Sequence, residues 1–159
     1  MIESVAIPEE RKAVLIGDKG KTKRSIEGKT NTKIHIADII EVEGESLDVY
    51  KARSIIKAIG RGFSPPKAML LLKEDYALDI MSLQGENENT IHRLMARVIG
   101  RNGSARRKIE LKTHTCISIY GKTVAVIGNP ENTKIAHEAI GAILSGSPHY
   151  VAYKIVSEE

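Results

Sequence analysis

The chain has 159 residues, with 24 Lys and Arg against 20 Asp and Glu, a formal net charge of +4, and 42% hydrophobic residues. One cysteine, Cys116, excludes an internal disulfide, and the densest apolar run, residues 68–72, is far shorter than the roughly 20 residues that span a bilayer. With no Trp, one Phe and no charged-then-apolar leader, the composition argues against a sheet of base-stacking aromatics and predicts a soluble protein that stays in the cytoplasm.

Residues 4–7 read as a short strand, and Pro8 opens a short helix over 9–16 that runs into a tight turn, Gly17-Asp18-Lys19-Gly20. Residues 20–30 form a second helix whose one apolar anchor is Ile26, much of the rest being basic. Thr32, Ile34 and Ile36 alternate as a strand, 39–42 supplies another, and a turn follows at Gly44. Ser46 is the expected cap of a longer helix with Ala52, Ile55, Ile56 and Ile59 on one face. The order is strand, helix, helix, strand, strand, helix.

Residues 60–66 contain two glycines and two prolines, which mark a boundary, and 66–73 reads as a short connecting helix. The pattern then restarts with a strand over 76–83 and a longer helix over 86–99. The turn Gly100-Arg101-Asn102-Gly103 follows, and then a basic helix over 104–113. Strands are expected at 115–120 and 123–127, with Cys116 as a packing residue. A closing helix over 130–144 points Ile135, Ala139, Ile140 and Ile143 inward and stops at Gly146, and 149–156 adds a final packed segment.

The two halves are copies. Eleven of the twenty-one positions in 16–36 are identical in 99–119, at an offset of 83 residues, and the echo continues with a one-residue slip through Gly44/Gly128, Ala52/Ala136, Ile56/Ile140 and Ile59/Ile143. The prediction is an α+β protein with a first domain over residues 1–62, a linker with a short helix over 63–75, a second domain over 76–146, and a C-terminal segment over 147–159.

Both copies centre on Gly-x-x-Gly, which admits backbone conformations closed to other residues and removes side chains that would hold a ligand off. The helix beginning at the turn aims its unpaired N–H groups and positive dipole end at the same place, an anion site before any side chain is counted. Residues 11–33 and 93–112 together hold 15 of the 24 basic residues, so the partner is expected to be a polyanion. In the second copy the expected contacts are Gly100, Arg101, Asn102, Gly103, Ser104, Arg106, Arg107 and Lys108, with Ile99, Ile109 and Ile117 as apolar groove walls. In the first they are Gly17, Asp18, Lys19, Gly20, Lys21, Lys23 and Arg24, with Ile16, Ile26 and Ile34. Asp18 opposes the helix dipole where a phosphate must approach, so the second copy is expected to bind more strongly.

No catalytic set emerges. Gly20-Lys21-Thr22 matches the end of a nucleotide-binding P-loop, but position 15 is Leu where a glycine is needed, and the second copy, Gly103-Ser104-Ala105, lacks the lysine. His35, His92, His114, His137 and His149 are not at metal-ligand spacing. The expectation is no enzyme, no cofactor, no metal, no small-molecule substrate and no membrane.

An apolar residue before Gly-x-x-Gly, a basic helix after it and a Thr-x-Ile-x-Ile strand next resemble KH domains of the type I arrangement. Two in tandem, joined through residues 60–68, resemble the archaeal Dim/partner-of-Nob (Krr-like) small-subunit ribosome assembly factors, over roughly residues 3–155. The resemblance implies single-stranded RNA binding, with small-subunit pre-rRNA near its maturing 3′ end as the RNA and a Nob-type endonuclease as a protein partner. The alternative is an interaction scaffold in which one or both domains bind protein. The chain ends without the longer basic tail of some relatives.

Overall fold

In the first unit β3 (Ile40–Glu43) buries Ile40 and Val42 completely while Glu41 and Glu43 face solvent, and both other strands pair with it. β1 (Ile2–Val5) runs antiparallel along one side, with Ile2 opposite Glu43 and Val5 opposite Ile40. β2 (Lys33–Ile36) runs antiparallel along the other, giving the order β1-β3-β2. The first strand lies earlier than the 4–7 read from sequence. Ile40 starts β3, so no ladder partner exists beyond Val5, and the chain turns away toward Pro8. This computed structural model describes residues 1–83 and 85–157, and the chain divides into two units after Glu74.

A 3-10 turn (Glu9–Arg11) leads into α1 (Lys12–Ile16), followed beyond the glycine turn by α2 (Lys21–Thr30) and, after β3, by α3 (Ser46–Gly60). Leu15, Ile26, Ile55 and Ile56 from these helices are fully buried with Ile34, Ile40 and Val42 of the sheet. Ser46 is the first helical residue of α3 and not its cap. Glu45 occupies the extended capping position, and its carbonyl takes the Val49 N–H at 2.8 Å. The connecting helix is α4 (Pro65–Ala68) continued as a 3-10 turn (Met69–Leu72), packed on α3 through the buried Ala68 and Leu71.

The second unit repeats the plan with β4 (Ala77–Ser82), α5 (Glu88–Ile99), α6 (Ser104–Thr113), β5 (Cys116–Tyr120), β6 (Thr123–Gly128) and α7 (Pro130–Leu144). The sheet order is β4-β6-β5, and all six residues of the central strand are buried. Asn87 caps α5 by accepting the Thr90 N–H at 2.8 Å, and Asn129 caps α7 by accepting the Asn132 N–H at 2.9 Å ahead of Pro130. The extra residues before the second glycine turn lengthen the helix, twelve residues in α5 against five in α1. On α7 the inward face holds Ala136, Ala139, Ile140 and Ile143, while Ile135 sits half-buried at the edge of that core. Cys116 is half-buried in β5. The final segment is a helix, α8 (His149–Ser157), packed along α6 and α7.

One tie appears in both units and was not visible in the repeat. Arg11 donates from Nε to the Ile59 carbonyl (2.7 Å) and from Nη2 to the Phe63 carbonyl (2.9 Å), holding the end of α3. Arg97 does the same for α7, from Nη1 to Ile143 O and from Nη2 to Ser147 O, both at 2.6 Å. The residue at the offset of Arg11 is Leu94, one helical turn before Arg97 on the same face, so the repeat comparison aligns an arginine with a leucine.

Burial ranks the stabilising residues. Ile56→Ala and Ile140→Ala, both at fully buried positions, are expected to cost about 2–5 kcal/mol each in urea denaturation, whereas Leu111→Ala, 74% exposed, should stay within about 0.5 kcal/mol of the parent.

Candidate nucleic-acid interface

The two glycine turns have the same backbone. Gly17 has φ 75°, Lys19 φ 52° and Gly20 φ 75°; Gly100 has φ 76°, Asn102 φ 54° and Gly103 φ 76°. Three of the four residues in each turn therefore have positive φ: the third and fourth are left-handed, and the first glycine, with ψ near 180°, lies in a region that essentially only glycine adopts. A Cβ on Gly100 would stand 2.6 Å from the Ala105 methyl, and one on Gly17 2.7 Å from Thr22 Cβ, so at the first glycine conformation and packing both forbid a side chain. At the third position the second copy has asparagine, which tolerates this conformation better than the lysine of the first.

The turn is braced by the arginine common to both repeats. Arg24 Nη1 donates to the Lys19 carbonyl at 2.7 Å and Arg107 Nη1 to the Asn102 carbonyl at 2.6 Å, across five residues in each case. Gly20 and Gly103 occupy the capping positions of the ten-residue helices α2 and α6 with no side-chain capping bond. The first helical N–H of each, Lys21 or Ser104, is taken inside the turn by the Asp18 or Arg101 carbonyl, so it is the helix dipole and the N–H groups behind it that face an anion. Asp18, Lys19 and Lys21 are exposed beside one turn, and Arg101, Asn102, Ser104, Arg107 and Lys108 beside the other.

Other repeated residues hold the helix to the strand behind it. Glu27 Oε2 accepts the Ile34 N–H and Glu110 Oε2 the Ile117 N–H, both at 2.8 Å. The Thr30 hydroxyl donates to Ile26 O and meets the Thr32 hydroxyl at 2.7 Å; Thr113 repeats this with Ile109 O and Thr115. Asn31 and His114, left-handed at φ 55°, end the helices between these threonines. These bonds account physically for much of the identity between the copies.

They also correct the expected groove walls. Ile26, Ile109, Ile34 and Ile117 are at most 2% exposed, core residues with no surface for a base, while Ile16 and Ile99, just before the turns, are 38% and 37% exposed. Arg106 is half-buried and paired with Glu110 Oε1 at 3.2 Å, and the Lys108 ammonium stands 4.1 Å from the centroid of the Tyr153 ring on α8. Lys23 is half-buried.

Lys12, counted from sequence only as one charge of the basic cluster in residues 11–33, makes an internal tie that distinguishes the two units. Its ammonium reaches Ala37 O (2.8 Å), Asp38 O (3.2 Å) and Glu9 Oε2 (2.8 Å), tying α1 to the β2–β3 turn. Met95 occupies the matching place in the second unit. There the space between α5 and the β5–β6 turn is an open depression of about 240 Å³ lined by Ile91, His92, Met95, Ile119 and Lys122 among others.

Comparison with known proteins agrees with this geometry. Residues 77–159 match the family model of the eukaryotic type KH domain (KH domain type I), and residues 2–58 match that of the KH domain. A KH domain-containing protein of Methanocaldococcus jannaschii is 41% identical, over 99% of this chain and 74% of its own length. The crystal structure of Dim2p from Pyrococcus horikoshii superposes with a TM-score of 0.92 at 44% identity, covering 100% of this chain and 99% of the other. The Pyrococcus horikoshii complex of a/eIF2α, aDim2p and rRNA contains a chain matching with a TM-score of 0.92 at 43% identity, over 98% and 92% of the two chains. With two type I KH units, each built on a braced Gly-x-x-Gly turn, and with relatives this similar over nearly its whole length, the chain belongs to the tandem KH-domain family of the archaeal Dim2 type.

Proposed function

We propose that the protein binds single-stranded RNA through its glycine turns, about four nucleotides per competent domain, as a non-enzymatic, cytoplasmic assembly factor acting on small-subunit pre-rRNA. The observation that carries this reading is the turn itself: left-handed backbone bared of side chains at the start of a basic helix whose first N–H groups have no capping side chain. The rRNA present in the complex of the Pyrococcus relative supports it.

In this reading the phosphate backbone lies on Gly100 and Gly103. Arg101, Ser104 and Arg107 supply exposed donors, Asn102 keeps the turn in shape, and Ile99 is the apolar surface next to the bases. Ile109 and Ile117 form the floor that fixes this wall. The second unit is the principal site. Its turn carries no acid, its third position suits the left-handed backbone, and an open depression stands where the first unit has the Lys12 tie. The first unit binds more weakly through Gly17, Lys19, Gly20, Lys21, Lys23 and Arg24.

The deciding experiment is Arg101→Asp with Asn102→Asp. Both side chains are exposed and aspartate tolerates the left-handed region, so the thermal transition should hold within a few degrees while RNA affinity, by fluorescence anisotropy, drops at least a hundredfold. Unchanged affinity would sink the assignment. Ionic strength gives a second measurement. With about 4–6 phosphates neutralised, the single-strand slope of roughly −0.7 per phosphate predicts a fall of about fifty- to three-hundred-fold between 50 and 200 mM salt. The ranking of the units is tested separately: Lys19→Asp should cost much less RNA affinity than Arg101→Asp, and the reverse order would make residues 17–24 the main site.

A further inference from the structure

The first unit contains an open seam that its duplicate fills. In the second unit α8 runs along α6, and the seam between them is closed by the Lys108 ammonium 4.1 Å from the Tyr153 ring centroid. The His149 ring lies 6.1 Å from Tyr153, and His149 Nε2 is 2.8 Å from Arg97 O. In the first unit the chain leaves α3 from the matching anchor. The carbonyls held by Arg11, those of Ile59 and Phe63, stand 84 residues before those held by Arg97, of Ile143 and Ser147.

Counting on from that anchor, Pro65 takes the place of His149 and Met69 the place of Tyr153. On the basic helix Ser25 takes the place of Lys108. The ring and the long cation that close one seam are thus both absent from the other. What is left is a cleft of about 440 Å³ within the first unit, with Lys21, Ser25 and Lys29 of α2 on one side and Pro65, Pro66 and Met69 on the other. This is within the range of roughly 300–1,000 Å³ typical of ligand pockets.

The two sides differ in chemistry. Pro65, Pro66 and Met69 form an apolar, polarizable surface, and a methionine sulfur makes favourable contacts with aromatic rings. Lys21 and Lys29 are exposed and set eight residues apart, about 12 Å along the helix, and neither is in an ion pair among the described residues. We infer that this cleft is a docking site for an aromatic side chain of a partner protein, a tyrosine or phenylalanine carried in an acidic segment. The ring lies against Met69 and the prolines and covers α2 at Ser25, the place where Tyr153 covers Lys108 of α6 in the duplicate, and flanking carboxylates pair with Lys21 and Lys29. A polypeptide is favoured over RNA because the occupant of the duplicate seam is itself a polypeptide ring over a lysine. The inference does not depend on RNA binding at the turns.

The test uses the full chain and a fluorescein-labelled heptapeptide with a central tyrosine between three acidic residues on each side. A control peptide has alanine at the centre. Ser25→Lys with Met69→Tyr rebuilds the filled seam in the first unit. Expected is saturable binding of the tyrosine peptide, at least tenfold weaker for the alanine peptide and at least tenfold weaker for the filled variant, with affinity for single-stranded RNA unchanged. Should the filled variant not fold, methyl-labelled methionine spectra of the parent decide. The Met69 methyl, assigned through Met69→Leu, should shift with the tyrosine peptide while those of Met81 and Met95 stay fixed. Equal binding of the two peptides, insensitivity to filling, a silent Met69 methyl, or loss of RNA affinity on filling would each overturn the proposal, the last by making the cleft part of an RNA path.

Discussion

The fold depends on how closely the helix after each glycine turn approaches the turn itself. The first glycine lies against the start of that helix, against Thr22 in one unit and Ala105 in the other, with no space for even a methyl group between them. This contact keeps the left-handed backbone folded back on the helix, and the arginine one turn further on ties down the carbonyl that the bend turns outward. A side chain at either glycine forces the helix away from the turn, and the anion site, which consists of their juxtaposition, goes with it. Everything behind the turn continues this logic: glutamate to strand, threonine to threonine, isoleucine into the core.

Much of this was legible in the sequence because duplication printed it twice. The type I order, both glycine turns and the bounds of α6 and α7 could all be read, since glycine punctuation and apolar periodicity are local signals. The functions of the identical residues were less legible. Repetition marks Arg107 and Ile117 as constrained without saying whether a ligand or the fold constrains them. The structure answers differently for the two, the arginine being exposed with one nitrogen on the turn and the isoleucine buried. The ties of Lys12 and Arg97 were invisible for a different reason: their acceptors are carbonyls 25 to 50 residues away, and a carbonyl has no sequence signature.

The copies have diverged at their margins and not at their centres. α1 is short and tied to the β2–β3 turn by Lys12 where α5 is long and has no such tie to the β5–β6 turn, and the segment after α3 is a broken helical turn where the one after α7 is a full helix. These differences leave the two turns nearly superimposable while changing what surrounds them. Two units with one shared device and different borders can treat one polyanion differently, and their borders can meet different proteins.

The arginine ties at the ends of α3 and α7 have a consequence for how such a pair can evolve. The donor sits one helical turn earlier in one copy than in the other, yet the acceptors are matching carbonyls four residues apart, one in the last turn of the closing helix and one just beyond it. Backbone acceptors place no demand on the identity of the residue that carries them, so the same tie can be made from donors a turn apart provided a guanidinium reaches. Inheritance here is measured better by bonds kept than by letters kept, and recombining the front of one copy with the back of the other risks a clamp with no arginine on the turn where the rest of the core expects it.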